Sequence, residues 1–174
     1  MWKKLILKDA MGVWMLLTGS LAAGIILNEM RAKPLPLDYS SPEARLDRAV
    51  EKLGEGKPLV VRGEGDVSLE EMQTFSAGRA ALILDARPEV FYRVGHIPSA
   101  LSLPRDDFEN GYRLLASVLE PRRSDVLVVY CSGSDCHDSQ MVSDALRRLG
   151  FAQVRLFRGG WGEWEGGNLP EEKL

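Results

Sequence analysis

The stretch Asp125-Val-Leu-Val-Val-Tyr130-Cys131-Ser-Gly-Ser-Asp-Cys136-His137, with the segment from Asp138 to Gly150 behind it, decides how the chain reads. Asp125 to Tyr130 is a short apolar run rich in β-branched residues, the pattern of a buried strand. From about Ser139 the spacing turns helical: Met141, Val142, Ala145, Leu146 and Leu149 share one face, and Gly150 supplies the stop. Cys131 therefore stands where a strand has ended and its helix has not begun. In an open parallel sheet, ligands gather at that place. Backbone N–H groups of a small-residue turn and of the first helical turn favour an anion there, a thiolate included, and lower the thiol pKa. The competing reading is a buried cysteine used as a small hydrophobe. Such a filler belongs within Val126 to Tyr130, not at the exit.

Composition bounds the rest. The chain has 174 residues, 45% hydrophobic and 27% charged, with a net charge of -3, which suits one cored domain plus an appendage. No basic cluster is dense enough for nucleic acid, and there is no internal repeat or low-complexity segment. Nothing in the pattern asks for a cofactor or a metal.

The appendage is N-terminal. Residues 1–9 form a basic flank with Lys3, Lys4 and Lys8, and residues 10–27 carry no charge at all. At 1.5 Å per residue the apolar run reaches roughly 27 Å, so it reads as a transmembrane helix or uncleaved signal anchor. A cleaved signal peptide and a buried soluble helix are the alternatives; Leu21 before Ala22-Ala23 makes a poor processing site. The lysine excess places the N-terminus inside the cell and the domain outside the cytoplasm, in a periplasm or on the outer face. Gly19/Ala23 and Ser20/Gly24 either pack against a membrane-protein partner or simply tolerate lipid.

Residues 28–42, with Pro34, Pro36 and Pro42, read as an extended linker. Residues 43–66 lead in, with an amphipathic helix from Pro42 to Leu53 capped by Ser41, and Pro58 to Arg62 as an extra strand. Residues 67–170 form the main domain and 171–174 a tail. Ser68 and Glu71 make a capping box, Ala80 to Asp85 a buried strand, and Pro88 to Arg93 a short helix. Ser99 to Leu103 and Gln153 to Phe157 are further strands, Phe108 to Leu119 an amphipathic helix, and a last helix contains Trp164. Alternating short strands and helices predict an α/β domain with a mainly parallel sheet. Asp85 at a strand end either orients catalysis or is held by nearby N–H groups and an arginine. Arg87 assists an anion or pairs with a carboxylate, and His96 in its tight turn locks a loop rather than moving protons.

These segments resemble a single rhodanese domain. The matching pieces are Leu84-Asp85-Ala86-Arg87, Phe91-Tyr-Arg-Val-Gly95-His96-Ile97-Pro98-Ser-Ala100 with Leu103-Pro104, the strand-exit Cys131, Leu149-Gly150-Phe151, and Gly159-Gly160-Trp161 with Trp164. The resemblance implies a five-stranded parallel sheet flanked by helices, which with the N-terminal segment gives an α/β domain plus one transmembrane helix. It implies that Cys131 is catalytic, attacks a sulfane sulfur, becomes a persulfide and passes that sulfur to a thiol acceptor. The implied partners are a small-molecule or protein sulfane-sulfur donor and a thiol.

The loop departs from the family. Seven residues, Ser132, Gly133, Ser134, Asp135, Cys136, His137 and Asp138, separate Cys131 from the helix-capping Ser139, where five are usual. Two acids and no Arg or Lys sit among them, which disfavours a small dianion such as thiosulfate. Cys131 and Cys136 are the only two cysteines. Cys136 could resolve Cys131 as a disulfide, which suits an oxidising compartment; His137 either stabilises a thiolate or faces solvent. The primary expectation is thus a rhodanese-type sulfurtransferase or persulfide carrier. The alternative is a regulatory or redox-sensing rhodanese module that uses a Cys131/Cys136 disulfide or binds a protein partner.

Overall fold

A computed structural model describes residues 2–32, 34–35, 40–54 and 65–174, with side chains from Met11 onward. The chain divides into two units, Met1–Tyr39 and Ser40–Leu174. In the first, helix α1 runs Trp2–Glu29, longer at both ends than the expected 10–27 because no residue there breaks it. Within it Met11–Glu29, 19 residues, is long and apolar enough to cross a membrane. One apolar N-terminal helix of this kind fits a membrane anchor or a cleavable signal sequence. Past its end the Asn28 side chain closes onto the Leu35 backbone, donating from Nδ2 to the carbonyl and accepting at Oδ1 from the N–H, each at 2.8 Å.

The second unit opens with α2, Pro42–Leu53, whose first turn is capped by Ser41 Oγ accepting from the Ala44 N–H. Leu46, Ala49 and Val50 form its buried stripe. Ser68 and Glu71 make the reciprocal capping box that starts α3, Leu69–Gly78. Then follow β1 Leu82–Asp85, α4 Glu89–Val94, β2 Leu101–Ser102, α5 Phe108–Leu119, β3 Val126–Tyr130, α6 Asp138–Arg148, β4 Gln153–Phe157 and α7 Gly160–Gly166.

The sheet is parallel throughout, in the order β2-β1-β3-β4, with Leu84 beside Leu101, Asp85 beside Tyr130, and Tyr130 beside Phe157. It has four strands among the described residues, not the five that the resemblance implied. The step before α3 explains the difference. Asp66 and Val67 meet β4 in a single parallel bridge to Leu156, with the Val67 N–H donating to the Leu156 carbonyl at 2.7 Å. The capping box then turns the chain into α3, so the ladder ends after one rung. The strand expected at Pro58 to Arg62 lies outside the described residues. Along this outer side of β4, Arg155 pairs with Glu71 and Arg158 with Asp66.

Both faces of the sheet are buried, as parallel sheets require. Strand alternation sorts the side chains: Leu82, Leu84, Leu127, Val129 and Val154 join α2, α5 and α6 on one face. Ile83, Val128, Tyr130 and Phe157 join Met72, Tyr92 and Trp164 on the other. Cys131 continues the Leu127, Val129 series and points to the first face. The chain leaves β1 into α4, whose Tyr92 packs on the second face, and leaves β3 into α6, whose Val142 packs on the first. The crossovers thus diverge to opposite faces at the C-terminal ends of β1 and β3, the switch point where open α/β sheets place their ligand sites.

Candidate functional site

At the switch point sits a buried polar knot. Asp85 has no solvent exposure. Its Oδ1 accepts from the Arg87 N–H at 2.9 Å and Nε at 3.0 Å, and its Oδ2 from Arg87 Nη2 at 2.6 Å and the Tyr130 hydroxyl at 2.7 Å. Arg87 Nη2 also donates to the Gly95 carbonyl at 2.7 Å, and the Ile97 N–H donates to the Tyr130 oxygen at 3.2 Å. The guanidinium lies 4.7 Å from the Trp161 ring centroid and 5.6 Å from that of Tyr130. Burial pushes the Tyr130 phenol well above its usual range, and the Asp85 charge adds to the shift, so Tyr130 keeps its proton and its O–H donates a hydrogen bond to the carboxylate. Burial opposes the charge on Arg87; hydrogen bonds to Asp85 and its charge outweigh that and hold the guanidinium above its ordinary value.

His96 is 2% exposed. Its Nδ1 lies 2.8 Å from the Tyr92 carbonyl, which fixes that nitrogen as the donor, and its ring stacks on Tyr92 at 3.8 Å. His96 and Glu172 exchange both backbone hydrogen bonds at 2.9 Å, which ties the C-terminal tail to the Gly95-His96-Ile97-Pro98 turn. Asp85, Arg87 and His96 are thus all engaged in fixing the chain around the C-terminal ends of β1 and β3.

Above this knot lies the loop. Cys131 is 1% exposed. Its carbonyl accepts from the Trp161 N–H at 2.8 Å, and the Ser132 carbonyl accepts from the Gly162 N–H at 2.9 Å. This close approach requires Gly160, whose φ is +59° and whose Cβ, if present, would stand 2.4 Å from the Cys131 oxygen and 2.9 Å from the Gly133 nitrogen. Ser132, Ser134, Asp135 and His137 are exposed, Gly133, Cys136 and Asp138 half-buried, and Ser139 buried within the first turn of α6.

The leading expectation about Cys131 is overturned. The chain's only two cysteines are joined by a disulfide, Cys131–Cys136, with Cα atoms 6.3 Å apart, a span that side chains bridge without backbone movement. Cys131 is therefore not the free thiol that a persulfide carrier needs. Carbonyl oxygens face its sulfur: those of Gly133 and Cys136 lie 3.8 and 3.4 Å from Sγ. The Cys136 N–H is taken by the Gly133 carbonyl at 3.1 Å, so the loop turns back on itself and presents oxygen to the sulfur.

Sequence reasoning passed over Arg105. Its Nε lies 2.7 Å from Asp138 Oδ1, and the side chains are 19% and 26% exposed. The signal was available: all parallel strands end on one edge, so the residue after Leu103-Pro104 arrives beside the residues that follow β1 and β3. The Arg105 N–H donates to the Ala86 carbonyl at 3.3 Å, which places it there. The loop thus has a cation after all, supplied from outside its own sequence.

A parallel, doubly covered sheet with a cysteine leaving the inner strand β3 beside the switch point is an α/β fold consistent with sulfur chemistry. The chain belongs to the rhodanese-like domain family, which matches residues 68–166. It is similar to protein YibN of Escherichia coli, 30% identical over 90 residues, which cover 52% of this chain and 59% of that one. It is also similar to a tRNA uridine(34) hydroxylase of Erwinia tasmaniensis, 31% identical over 81 residues, 46% of this chain and 22% of that one. The chain spans between 22% and 59% of the length of these curated relatives. Among solved structures, the BH2092 protein of Bacillus halodurans shares the fold at 21% identity and a TM-score of 0.52, over 76% of this chain and 87% of that one. The human single-domain sulfurtransferase TSTD1 matches at 27% identity and a TM-score of 0.50, over 64% and 97%. Family membership implies dealings with sulfur donors or acceptors in general.

Proposed function

We propose that the domain is a redox-responsive rhodanese module in which Cys131 and Cys136 pass between dithiol and disulfide, and that α1 tethers it to a membrane with the domain in an oxidising, extracytoplasmic compartment. The observation that carries this reading is the bond between the chain's only two cysteines, which closes the active-site loop Ser132 to Ser139 on itself. Residues 10–27 serve as the anchor, 28–42 as the linker and 67–170 as the working domain. Asp85, Arg87 and His96 hold the C-terminal ends of β1 and β3 rigid while the loop changes covalent state. Two electrons and two protons leave the cysteines on oxidation and reduce one disulfide of a partner to its dithiol. A partner held at the same membrane meets the module at high effective concentration.

Equilibration of the full chain in detergent with graded ratios of reduced to oxidised dithiothreitol tests the reading. After acid quenching and alkylation, intact mass should show two populations, doubly alkylated and unalkylated, interconverting reversibly. A bond that cannot be reduced while the fold persists, or cysteines that stay unlinked under oxidising conditions, would sink it.

A further inference from the structure

We infer that Cys136, and not the strand-exit Cys131, is the sulfur that exchanges with the partner thiol, and that its acidic surroundings select a neutral or cationic thiol. This rests on the redox reading above and adds which sulfur is used and the chemical class that uses it.

Thiol–disulfide exchange needs a straight approach to the attacked sulfur, so access decides between two bonded cysteines. Cys131 is 1% exposed, packed with Leu127, Val129 and Val142. Its carbonyl is pinned by the Trp161 N–H, so it cannot swing outward without undoing the contact with α7. Cys136 is half-buried, in a run whose neighbours Ser134, Asp135 and His137 are exposed. Chemistry at the inner sulfur agrees. The carbonyl oxygens of Gly133 and Cys136 that face Cys131 Sγ repel a thiolate and accept a hydrogen bond from a thiol. The inner sulfur is thus enclosed and faced by oxygen, and the outer one is the sulfur that a partner can reach.

The step balances as follows. A thiolate of a dithiol partner attacks Cys136 Sγ; a partner–Cys136 bond forms and the Cys131–Cys136 bond breaks. Cys131 leaves with the electron pair and takes a proton from solvent, and the resulting S–H faces the carbonyls of Gly133 and Cys136. The partner's second thiolate then attacks its own sulfur in the mixed disulfide and releases Cys136 as a thiolate. The partner dithiol is oxidised to a disulfide and the domain is reduced by two electrons.

Charge sets the selectivity. Asp138 is neutralised by Arg105, whereas Asp135, one residue before Cys136 and exposed, has no ion pair among the described residues. An anionic thiol is repelled there and a cationic one drawn in, to an extent that salt screens.

The test uses the full chain in detergent as Cys131→Ser and Cys136→Ser variants, reduced and then exposed to cystamine, a dication, or to glutathione disulfide, an anion. Mixed-disulfide formation is followed by intact mass. Cys131→Ser should be modified at least about tenfold faster than Cys136→Ser, since access governs the rate. It should react faster with cystamine than with glutathione disulfide, with a gap that narrows in high salt or with Asp135→Asn added. Equal or faster modification of Cys136→Ser overturns the assignment, and equal rates for the two reagents overturn the selectivity. In case a serine variant loses its near-ultraviolet circular dichroism, the reduced wild-type chain is also treated with substoichiometric iodoacetamide and mapped. Label on Cys136 first supports the inference, and label on Cys131 first overturns it. If the single-cysteine rates come out as stated while the wild-type chain fails to cycle, the redox reading falls and the exchange order stands.

Discussion

The Trp161 N–H donates to the Cys131 carbonyl at 2.8 Å, so α7 grips the loop by a bond that involves no sulfur. Gly160 makes that grip available. Gly160→Ala should lower the unfolding free energy by more than about 1 kcal/mol, because a side chain at positive φ adds strain to a direct clash with two backbone atoms. Urea midpoints of oxidised wild type and variant measure it, and an unchanged midpoint would mean that the contact is slack.

Asp85 and Tyr130 test the buried polar knot. Tyr130→Phe removes a donor from Asp85 and the acceptor of the Ile97 N–H, at a cost of about 1–3 kcal/mol. Asp85→Ala strands the buried Arg87 charge and should cost about 3–5 kcal/mol. If the two losses were equal in chemical denaturation, Arg87 would have found another counter-charge.

Reduction should weaken the domain only modestly. The disulfide joins cysteines five residues apart, and closing so short a ring restricts the unfolded chain by about 2 kcal/mol. Denaturation with and without reductant gives the difference directly. A much larger loss would mean that the loop, and not just the unfolded chain, depends on the bond.

How much of this was legible in the sequence follows from the range of each interaction. Ser41, Pro42, Ser68 and Glu71 cap their helices as read, because capping is settled within four residues. The exit of Cys131 from a buried strand was equally local. The strand count was not, because the rung between Asp66 and Leu156 depends on how soon the capping box turns the chain. Seven intervening residues suggested a roomy loop, but nothing in their identities said that the Cys136 N–H would bond Gly133 and leave carbonyls facing the sulfur. Arg105 was passed over although the parallel order brings the residue after Leu103-Pro104 to that edge, because its pairing with Asp138 in particular is settled only in the assembled sheet.

Acid and base should both destabilise the fold, for opposite reasons. Glu120 is held below its usual pKa of 4.5 chiefly by the Arg123 hydrogen bond, Glu71 by that of Arg155 and Glu109 by that of Lys52. The unfolded chain binds protons at these sites first, so stability is present above about pH 4.5 and drains away as pH falls through the folded values. Burial raises Tyr112 and Tyr130 above their usual pKa of 10.0, with an added push from Glu120 and Asp85. Their contribution is intact below about pH 10 and is lost as pH rises past it. Urea midpoints of the oxidised chain from pH 3 to 11 should trace a plateau with two falling edges, and a midpoint that rose in acid would contradict the carboxylate assignments.

Arg105→Ala should release Asp138 yet cost only about 0.5–1 kcal/mol, since the half-buried carboxylate remains within reach of water. Its larger effect should be kinetic. With a second unpaired carboxylate near Cys136, glutathione disulfide should react still more slowly with the reduced chain, and stopped-flow rates at low and high salt would reveal it.

The outer side of β4 bears on how copies of this protein behave in company. A bare strand there would offer its N–H and carbonyl groups as a template for a neighbouring chain. Here the Val67 rung occupies part of that row, while Arg155 with Glu71 and Arg158 with Asp66 line it with paired charges. At the opposite margin β2 is only two residues long. Crowding such domains together, as confinement to a surface does, therefore leaves little backbone for one sheet to extend into the next, and the ionic guard on β4 would relax first in strong salt.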